Sequence, residues 1–309
     1  MDVFKGYKNV PKEFMGSCVA IGNFDGMHLG HQELLKVAKK NAKKLVTHSL
    51  VYTFEPHPSQ VLSGGKKLPL IFTKEQKIQS LENYGMSGAV FEPFNNDFAK
   101  ISAEDFVNEI LINSLKVAAI VVGENFTFGY KAKGNVKLLK QILAKKGVLL
   151  NIVSPILVSS SVCSSTFIRK FILQGEVEKA SKMLSQPYLL AGVVVKGHGR
   201  GKKLNIPSAN LKTNNELVPK NGVYATRVEI ENDNKKYLGA TNIGFKPTFN
   251  NNEELSIETH ILDFAANIYG KKIKLSFLKK IRDEKRFSSS AELVKQINKD
   301  ILTIKKVNY

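Results

Sequence analysis

At 309 residues the chain exceeds the usual size of one domain, so two domains are expected. A hydrophobic share of 43% with 24% charged residues is that of an ordinary globular protein and excludes a disordered or low-complexity chain. The net charge of +19 raises nucleic-acid binding, but its distribution argues against it. Residues 1–185 carry 24 Lys or Arg against 15 Asp or Glu, and residues 186–309 carry 22 against 12, so both halves are basic and neither has a concentrated tail. Only five of the 46 basic residues are Arg and Trp is absent, whereas a nucleic-acid surface interleaves Arg with stacking aromatics. A lysine-rich solvated surface is the preferred reading, and no nucleic-acid partner is expected.

Cys18 lies in the apolar run Ser17–Ile21 and Cys163 stands far from it, which suggests neither a disulfide framework nor a zinc site. The first fifteen residues mix in Asp2, Lys5, Lys8, Lys12 and Glu13, so there is no apolar signal-peptide core, and no apolar stretch approaches a membrane span. A cytoplasmic protein without membrane partners is expected.

In chain order, short apolar runs at Cys18–Ile21, Leu50–Phe54, Gly88–Phe91, Ala118–Val122 and Val148–Val153 alternate with amphipathic segments. Those segments are Gln32–Lys44, Lys74–Tyr84, Ala103–Leu115 and Asn135–Lys145. The alternation predicts an α/β domain with a Rossmann-like parallel sheet covered by helices, closed by Phe167–Leu173 and Val177–Leu184. Ligands of such sheets bind beyond the carboxyl ends of the strands. From Tyr188 the texture changes. Leu189–Val195, Val223–Ile230, Tyr237–Ile243, Ser256–Leu262 and Lys272–Leu278 are short, β-branched and separated by Gly, Asn and Pro, which predicts an all-β barrel or sandwich. A helix over Ser290–Ile304 ends the chain, and the boundary is placed at residue 186.

The first candidate site is Gly22-Asn-Phe-Asp-Gly-Met-His-Leu-Gly-His31, between the first strand and the first helix. Its glycines allow a tight turn and close approach of a ligand, and the helix start favours phosphate. His28 and His31 share one face and can donate hydrogen bonds to phosphate oxygens as charge grows there. Two plainer readings stand beside this: a surface pair, or a metal site completed by His48 or His57, for which no third ligand has a recognisable spacing.

The second candidate site, Lys196-Gly-His-Gly-Arg-Gly-Lys-Lys203 before Pro207-Ser-Ala-Asn210, is glycine-rich and basic but lacks P-loop spacing. It reads equally as a phosphate loop or a flexible turn. In Ser256–Leu262 the strand period puts Ile257, Thr259 and Ile261 on one face and Glu258, His260 and Leu262 on the other.

The ten-residue segment closely resembles the nucleotidyltransferase motif, in the form used by the prokaryotic bifunctional riboflavin kinase/FAD synthetase family. Further segments resemble that family in order: Thr53-Phe-Glu-Pro-His-Pro58, Val121-Val-Gly-Glu-Asn-Phe-Thr-Phe-Gly129 and Ser164-Ser-Thr-Phe-Ile-Arg169. Gly192–Leu211 resembles its kinase loop and Pro-Thr-Ala-Asn motif, with Ser208 for the usual Thr and Asn205 where glycine is common. Gly222–Tyr224, Asn242–Phe249, Ile257–Phe264 and Leu278–Phe287 are similar to further kinase segments, so the resemblance spans residues 15–303.

The resemblance implies an α/β nucleotidyltransferase domain over residues 1–186, an FMN adenylyltransferase, followed by a Greek-key barrel over residues 187–309, a riboflavin kinase, with a C-terminal helix. It implies that Gly22, Phe24, Asp25, Gly26, His28, His31, Ser165, Thr166 and Arg169 bind ATP in the first domain. Phe54, Pro56, Pro58 and Asn125 would meet the flavin there. In the second domain Gly197, Gly199, Arg200, Gly201 and Lys203 form the phosphate loop, Ser208 and Asn210 hold Mg²⁺ with ATP, and Glu258 is the general base. Substrates and products are then ATP, riboflavin, FMN and FAD. His260 reads as structural, and Arg282 and Glu284 fit either a flavin contact or an exposed loop. A nucleotidyltransferase for another acceptor is a rival that the kinase-like segments disfavour. Homo-oligomerisation is left open.

Overall fold

In the computed structural model, which describes residues 1–63, 68–197, 206–247 and 253–307, the apolar runs of the first half become strands of one six-stranded sheet. They are Asp2–Lys5 (β1), Cys18–Ile21 (β2), Ser49–Glu55 (β3), Gly88–Pro93 (β4), Ala119–Gly123 (β5) and Leu149–Val153 (β6). The order is β1-β4-β3-β2-β5-β6, with every pairing parallel. Of these six strands only β1 is missing from the sequence reading: it is a mostly exposed edge strand with no apolar run to betray it. All four residues of β2 are buried, because a strand covered on both faces has no polar side. With β3 on one flank of β2 and β5 on the other, the strand order reverses there, which marks the carboxyl edge of β2 and β5 for ligand binding.

Leu29–Lys44 (α1) buries Leu34, Leu35, Ala38, Asn41 and Ala42 along one stripe. Pro58–Leu62 (α2) is short, and Lys74–Asn83 (α3) starts at a capping box between Thr73 and Gln76. The helix expected over Ala103–Leu115 is present over residues 103–114 (α4), but Phe106–Ser114 has π geometry. Val136–Ala144 (α5) completes the expected set. Among the described residues no helix is long and apolar enough to cross a membrane.

The second half contains Tyr188–Val195 (β7), Ala209–Thr213 (β8), Gly222–Ile230 (β9), Lys236–Pro247 (β10), Glu253–Ile261 (β11) and Lys272–Arg282 (β12). They close into an antiparallel barrel of order β7-β8-β11-β10-β9-β12. β9, β10 and β11 pair consecutively and β12 returns beside β9, which is Greek-key order. Thr226, Thr241 and Thr259 sit fully buried inside and satisfy one another, with Oγ1 separations of 2.7 and 2.9 Å. The last helix, Ser290–Ile304, is capped by Ser289 and brings Ile304 against Ala225 and Leu262.

Two helices precede the barrel, Ser165–Gln174 (α6) and Val177–Leu184 (α7); the last helix is therefore α8. The sequence reading has α6 and α7 closing the first domain. In the structure the chain divides into compact units at Met1–Ser165 and Thr166–Tyr309, and α7 packs on β12 and β7. It buries Val177, Ala180, Met183 and Leu184. A fragment of residues 187–309 should therefore melt at least about 5 °C below one of residues 166–309, since it loses this apolar face. Equal melting temperatures would show that α7 adds nothing to the barrel.

Candidate functional site

The segment after β2 is held in an unusual backbone conformation. Phe24 and Met27 have φ of 49° and 44°, and Gly26 has φ of 86°. Left-handed φ at the two non-glycine residues costs roughly 1–3 kcal/mol each, so the surrounding structure must enforce it. The Asn23 carbonyl accepts from Thr53 Oγ1 at 3.1 Å and Lys77 Nζ at 2.9 Å. The Asp25 carboxylate accepts the Ile71 and Phe72 backbone N–H groups at 3.0 and 3.1 Å, and the Asp25 carbonyl accepts from Ser165 Oγ at 2.8 Å. Gln32 Nε2 donates to the Met27 carbonyl at 3.0 Å. A Cβ on Gly26 would come within 2.9 Å of Ile71 Cδ1, so only glycine fits. Phe24 and Asp25 are fully buried, and their side chains support the loop from inside.

The loop delivers the two histidines to α1. His28 is the N-cap residue: its Nδ1 accepts the His31 backbone N–H at 3.3 Å. The helix thus begins at Leu29, three residues before its expected start, because a histidine rather than Ser, Thr, Asp or Asn caps it. The imidazoles stack at 3.6 Å between centroids with 20° between planes, and the Phe24 ring lies 5.1 Å from His31. His31 Nδ1 is buried without a hydrogen-bond partner among the described residues. Burial pushes the His28 imidazole down to about 4, against a weaker upward pull from Asp25. His31 is pushed well below the ordinary imidazole value by burial, then by His28 and Lys77. Both rings are therefore neutral at pH 7, and each has one N–H to offer an anion. His48 packs on Phe14 at 4.5 Å, and His57 caps α2 through Ser59. Each has another partner, and among the described residues no group of three His, Cys, Asp or Glu side chains is placed to hold a metal ion.

Gly22 follows β2 directly, and Ser165 reaches the loop as described. Thr166 is exposed and Arg169 buried, both on α6 in the second compact unit. At the ends of β3 and β5, half-buried Phe54 packs edge-on against Phe94 at 5.6 Å, with Phe98 at 6.0 Å. Rings continue from Phe98 through Phe106 to Phe128 and stacked Phe126, which adjoins exposed Asn125. The predicted flavin contacts Phe54 and Asn125 thus stand at two ends of one aromatic chain, with Pro56 and Pro58 following Phe54. Phe94 and Phe98 were not legible, since they fall in a connection without periodicity. Lys77 was hidden as well, as one lysine among many on an amphipathic helix.

In the barrel, burial of Ile257, Thr259 and Ile261 against half-buried Glu258 and His260 places the latter pair on the outer face, in the expected alternation. Glu258 stands opposite Asn210 on β8 and Asn242 on β10. Ser208 Oγ donates to Glu258 Oε2 at 3.3 Å and Ser256 Oγ to Oε1 at 3.1 Å. Ser208 and Asn210 are thus brought beside Glu258, 50 residues on from Ser208. Gly197 approaches so closely that a Cβ would lie 2.3 Å from Asn210 Nδ2. Gly199, Arg200, Gly201 and Lys203 lie outside the described residues. His260 Nδ1 is 2.7 Å from the Pro207 carbonyl, which steadies the approach to Ser208. Arg282 is held by Asp300 of α8 through Nε at 2.9 Å, a structural tie. The Glu284 carboxylate would crowd a Cβ on Gly244, next to Asn242, so it borders the Glu258 face.

Comparison with known proteins adds independent findings. Residues 10–167 match the family model for FAD synthetase, and residues 184–308 match that for riboflavin kinase. A bifunctional riboflavin kinase/FMN adenylyltransferase of Buchnera aphidicola subsp. Schizaphis graminum is 37% identical over 99% of this chain and 98% of its own. A Bacillus subtilis protein of the same description is 38% identical over 94% and 92%. A crystal structure described as a macrolide-efflux protein from Streptococcus pneumoniae superposes with a TM-score of 0.90 at 32% identity, covering 99% of both chains.

Proposed function

We propose that this chain, which belongs to the family of bifunctional riboflavin kinases/FMN adenylyltransferases, converts riboflavin to FAD in two ATP-dependent steps. Residues 187–309 would carry the kinase and residues 1–186 the adenylyltransferase. The observation that carries the reading is the convergence of Ser208, Asn210 and Glu258 on one barrel face, with a stacked, neutral histidine pair at the sheet edge in the other unit. The efflux description stays with the S. pneumoniae protein.

In the kinase step the ribityl hydroxyl attacks the γ-phosphorus of ATP, the bond to the β-phosphate oxygen breaks, and ADP leaves. Glu258 takes the hydroxyl proton; the Ser208 and Ser256 hydroxyls hold its carboxylate in place. Ser208 and Asn210 supply a hydroxyl and an amide oxygen beside that carboxylate, a hard-oxygen set that fits Mg²⁺ arriving with ATP. The ion, when bound, neutralises phosphate charge. Gly197 admits the backbone close to Asn210, and Gly199, Arg200, Gly201 and Lys203 would cradle the phosphates.

In the adenylyl step an FMN phosphate oxygen attacks the α-phosphorus of a second ATP and pyrophosphate leaves. No covalent nucleophile is needed, and catalysis is positioning with charge stabilisation. His28 and His31 donate hydrogen bonds to the triphosphate, Ser165, Thr166 and Arg169 hold it, and Phe54, Pro56, Pro58 and Asn125 receive the flavin. Both reactions are placed in the cytoplasm, in keeping with two free, buried cysteines. Incubation of the pure chain with riboflavin, ATP and Mg²⁺ should yield FMN and then FAD on chromatography. FMN without FAD would refute the adenylyltransferase half, and neither product would refute both.

A further inference from the structure

We propose that Lys77 is a positioning residue of adenylyl transfer: it holds the strained loop through the Asn23 carbonyl and sets a fixed positive charge acting on His31. The inference rests on the adenylyltransferase reading of that site. Lys77 lies with Ser80 and Leu81 on the buried stripe of α3, and the capping box at Thr73 fixes this register. It is 5% exposed, a rare condition for lysine outside an ion pair. Its Nζ donates to the Asn23 carbonyl at 2.9 Å and lies 6.0 Å from the Phe91 ring. No carboxylate stands within ion-pair distance of it among the described residues.

A buried ammonium with so little compensation costs stability, and a methionine of similar volume would fill the place without that cost. What the lysine adds is directed at the loop. The Asn23 carbonyl sits one residue before the left-handed Phe24, so this bond and that from Thr53 anchor the start of the strained run. The loop ends at His28, which caps α1 and stacks on His31, so displacement at Asn23 is transmitted to both imidazoles.

The charges around the pair are consistent with the same role. Lys77 and His28 both disfavour protonation of His31, after burial itself. Burial lowers the Lys77 ammonium from its ordinary value, opposed by Asp25 and Glu55 and aided by Lys74. Asp25 also favours a charged His28, but less than burial disfavours it. Lys77 thus brings positive charge into a low-dielectric site without a proton on His31, which suits a site that must meet negative charge growing on a triphosphate.

The test uses the full chain with Lys77→Met, which removes donor and charge, and Lys77→Gln, which keeps a donor but no charge. The imidazole of His31 is titrated by NMR, its resonance identified by its loss in His31→Gln. FAD formation from FMN and ATP and riboflavin phosphorylation are measured alongside. Both variants should raise the His31 titration midpoint. Lys77→Met should lower kcat for FAD formation roughly ten- to hundredfold, the value of one charged hydrogen bond, with riboflavin phosphorylation unchanged. Lys77→Gln should lose less turnover, and it supplies the titration if the methionine variant does not fold. An unshifted His31 midpoint, or unchanged FAD turnover in a folded variant, overturns the proposal. If the unmodified chain makes no FAD from FMN, the adenylyltransferase reading fails, while the titration still reads whether Lys77 acts on His31.

Discussion

Glu258→Gln should lower kcat for FMN formation by roughly 10²- to 10⁴-fold, with little change in riboflavin affinity and intact FAD synthesis from supplied FMN. Glutamine keeps the shape and one acceptor oxygen but cannot take the ribityl proton. Ser208 and Ser256 each donate to the carboxylate, one to each oxygen. The amide nitrogen therefore faces a serine hydroxyl, which can rotate to accept instead. The variant should fold normally, and its defect should lie in the chemical step. Ser208→Ala should differ, with weaker use of MgATP that responds in part to added Mg²⁺. Near-normal turnover of Glu258→Gln, measured with saturating riboflavin, would place the base elsewhere and leave Glu258 a solvated strand residue.

Replacing His31 with Ala should slow FAD formation by roughly a hundredfold or more while sparing riboflavin phosphorylation. His28 needs a subtler variant, because it also caps α1. Alanine would remove the cap and the donor together, whereas His28→Asn keeps a side-chain acceptor for the His31 N–H. An equal catalytic loss in Ala and Asn would assign the effect to chemistry; a loss confined to Ala would assign it to the cap. The depressed imidazole adds a pH signature. His28 protonates near 6.5 in the unfolded chain and at about 4 in the folded one. Its stabilising contribution is full above 6.5 and is lost as pH falls toward 4, by up to about 1.4 kcal/mol per pH unit. Urea unfolding at pH 7 and pH 5 should show a smaller acid loss for His28→Asn than for the unmodified chain.

Where the sequence carried periodicity or punctuation, the architecture was legible. Five of the six parallel strands and the last helix, with its serine cap, stand where their apolar runs and cap residue place them. The period-2 reading of Ser256–Leu262 separated Glu258 from the barrel interior, because a one-residue slip would have buried the carboxylate. What escaped depends on tertiary packing. The edge strand β1 has no apolar face, and the packing of α7 follows from which surface its apolar stripe meets, which local pattern does not encode. The site motifs were visible through their spacing and resemblance, but the braces behind them were not. Nothing local distinguishes Lys77 from its solvated neighbour Lys74, and only the fold brings it beneath Asn23.

The central claim, two different phosphorus transfers on one chain, is tested most directly with labelled ATP. The pure protein is incubated with riboflavin, Mg²⁺ and ATP labelled at either the α- or the γ-phosphate, and the flavins are separated. FMN should carry the γ label and no α label. FAD should carry both, the γ label inherited through FMN and the α label in its AMP half, while unlabelled pyrophosphate accompanies the α-label reaction. FAD without the α label, or FMN without the γ label, would contradict the account.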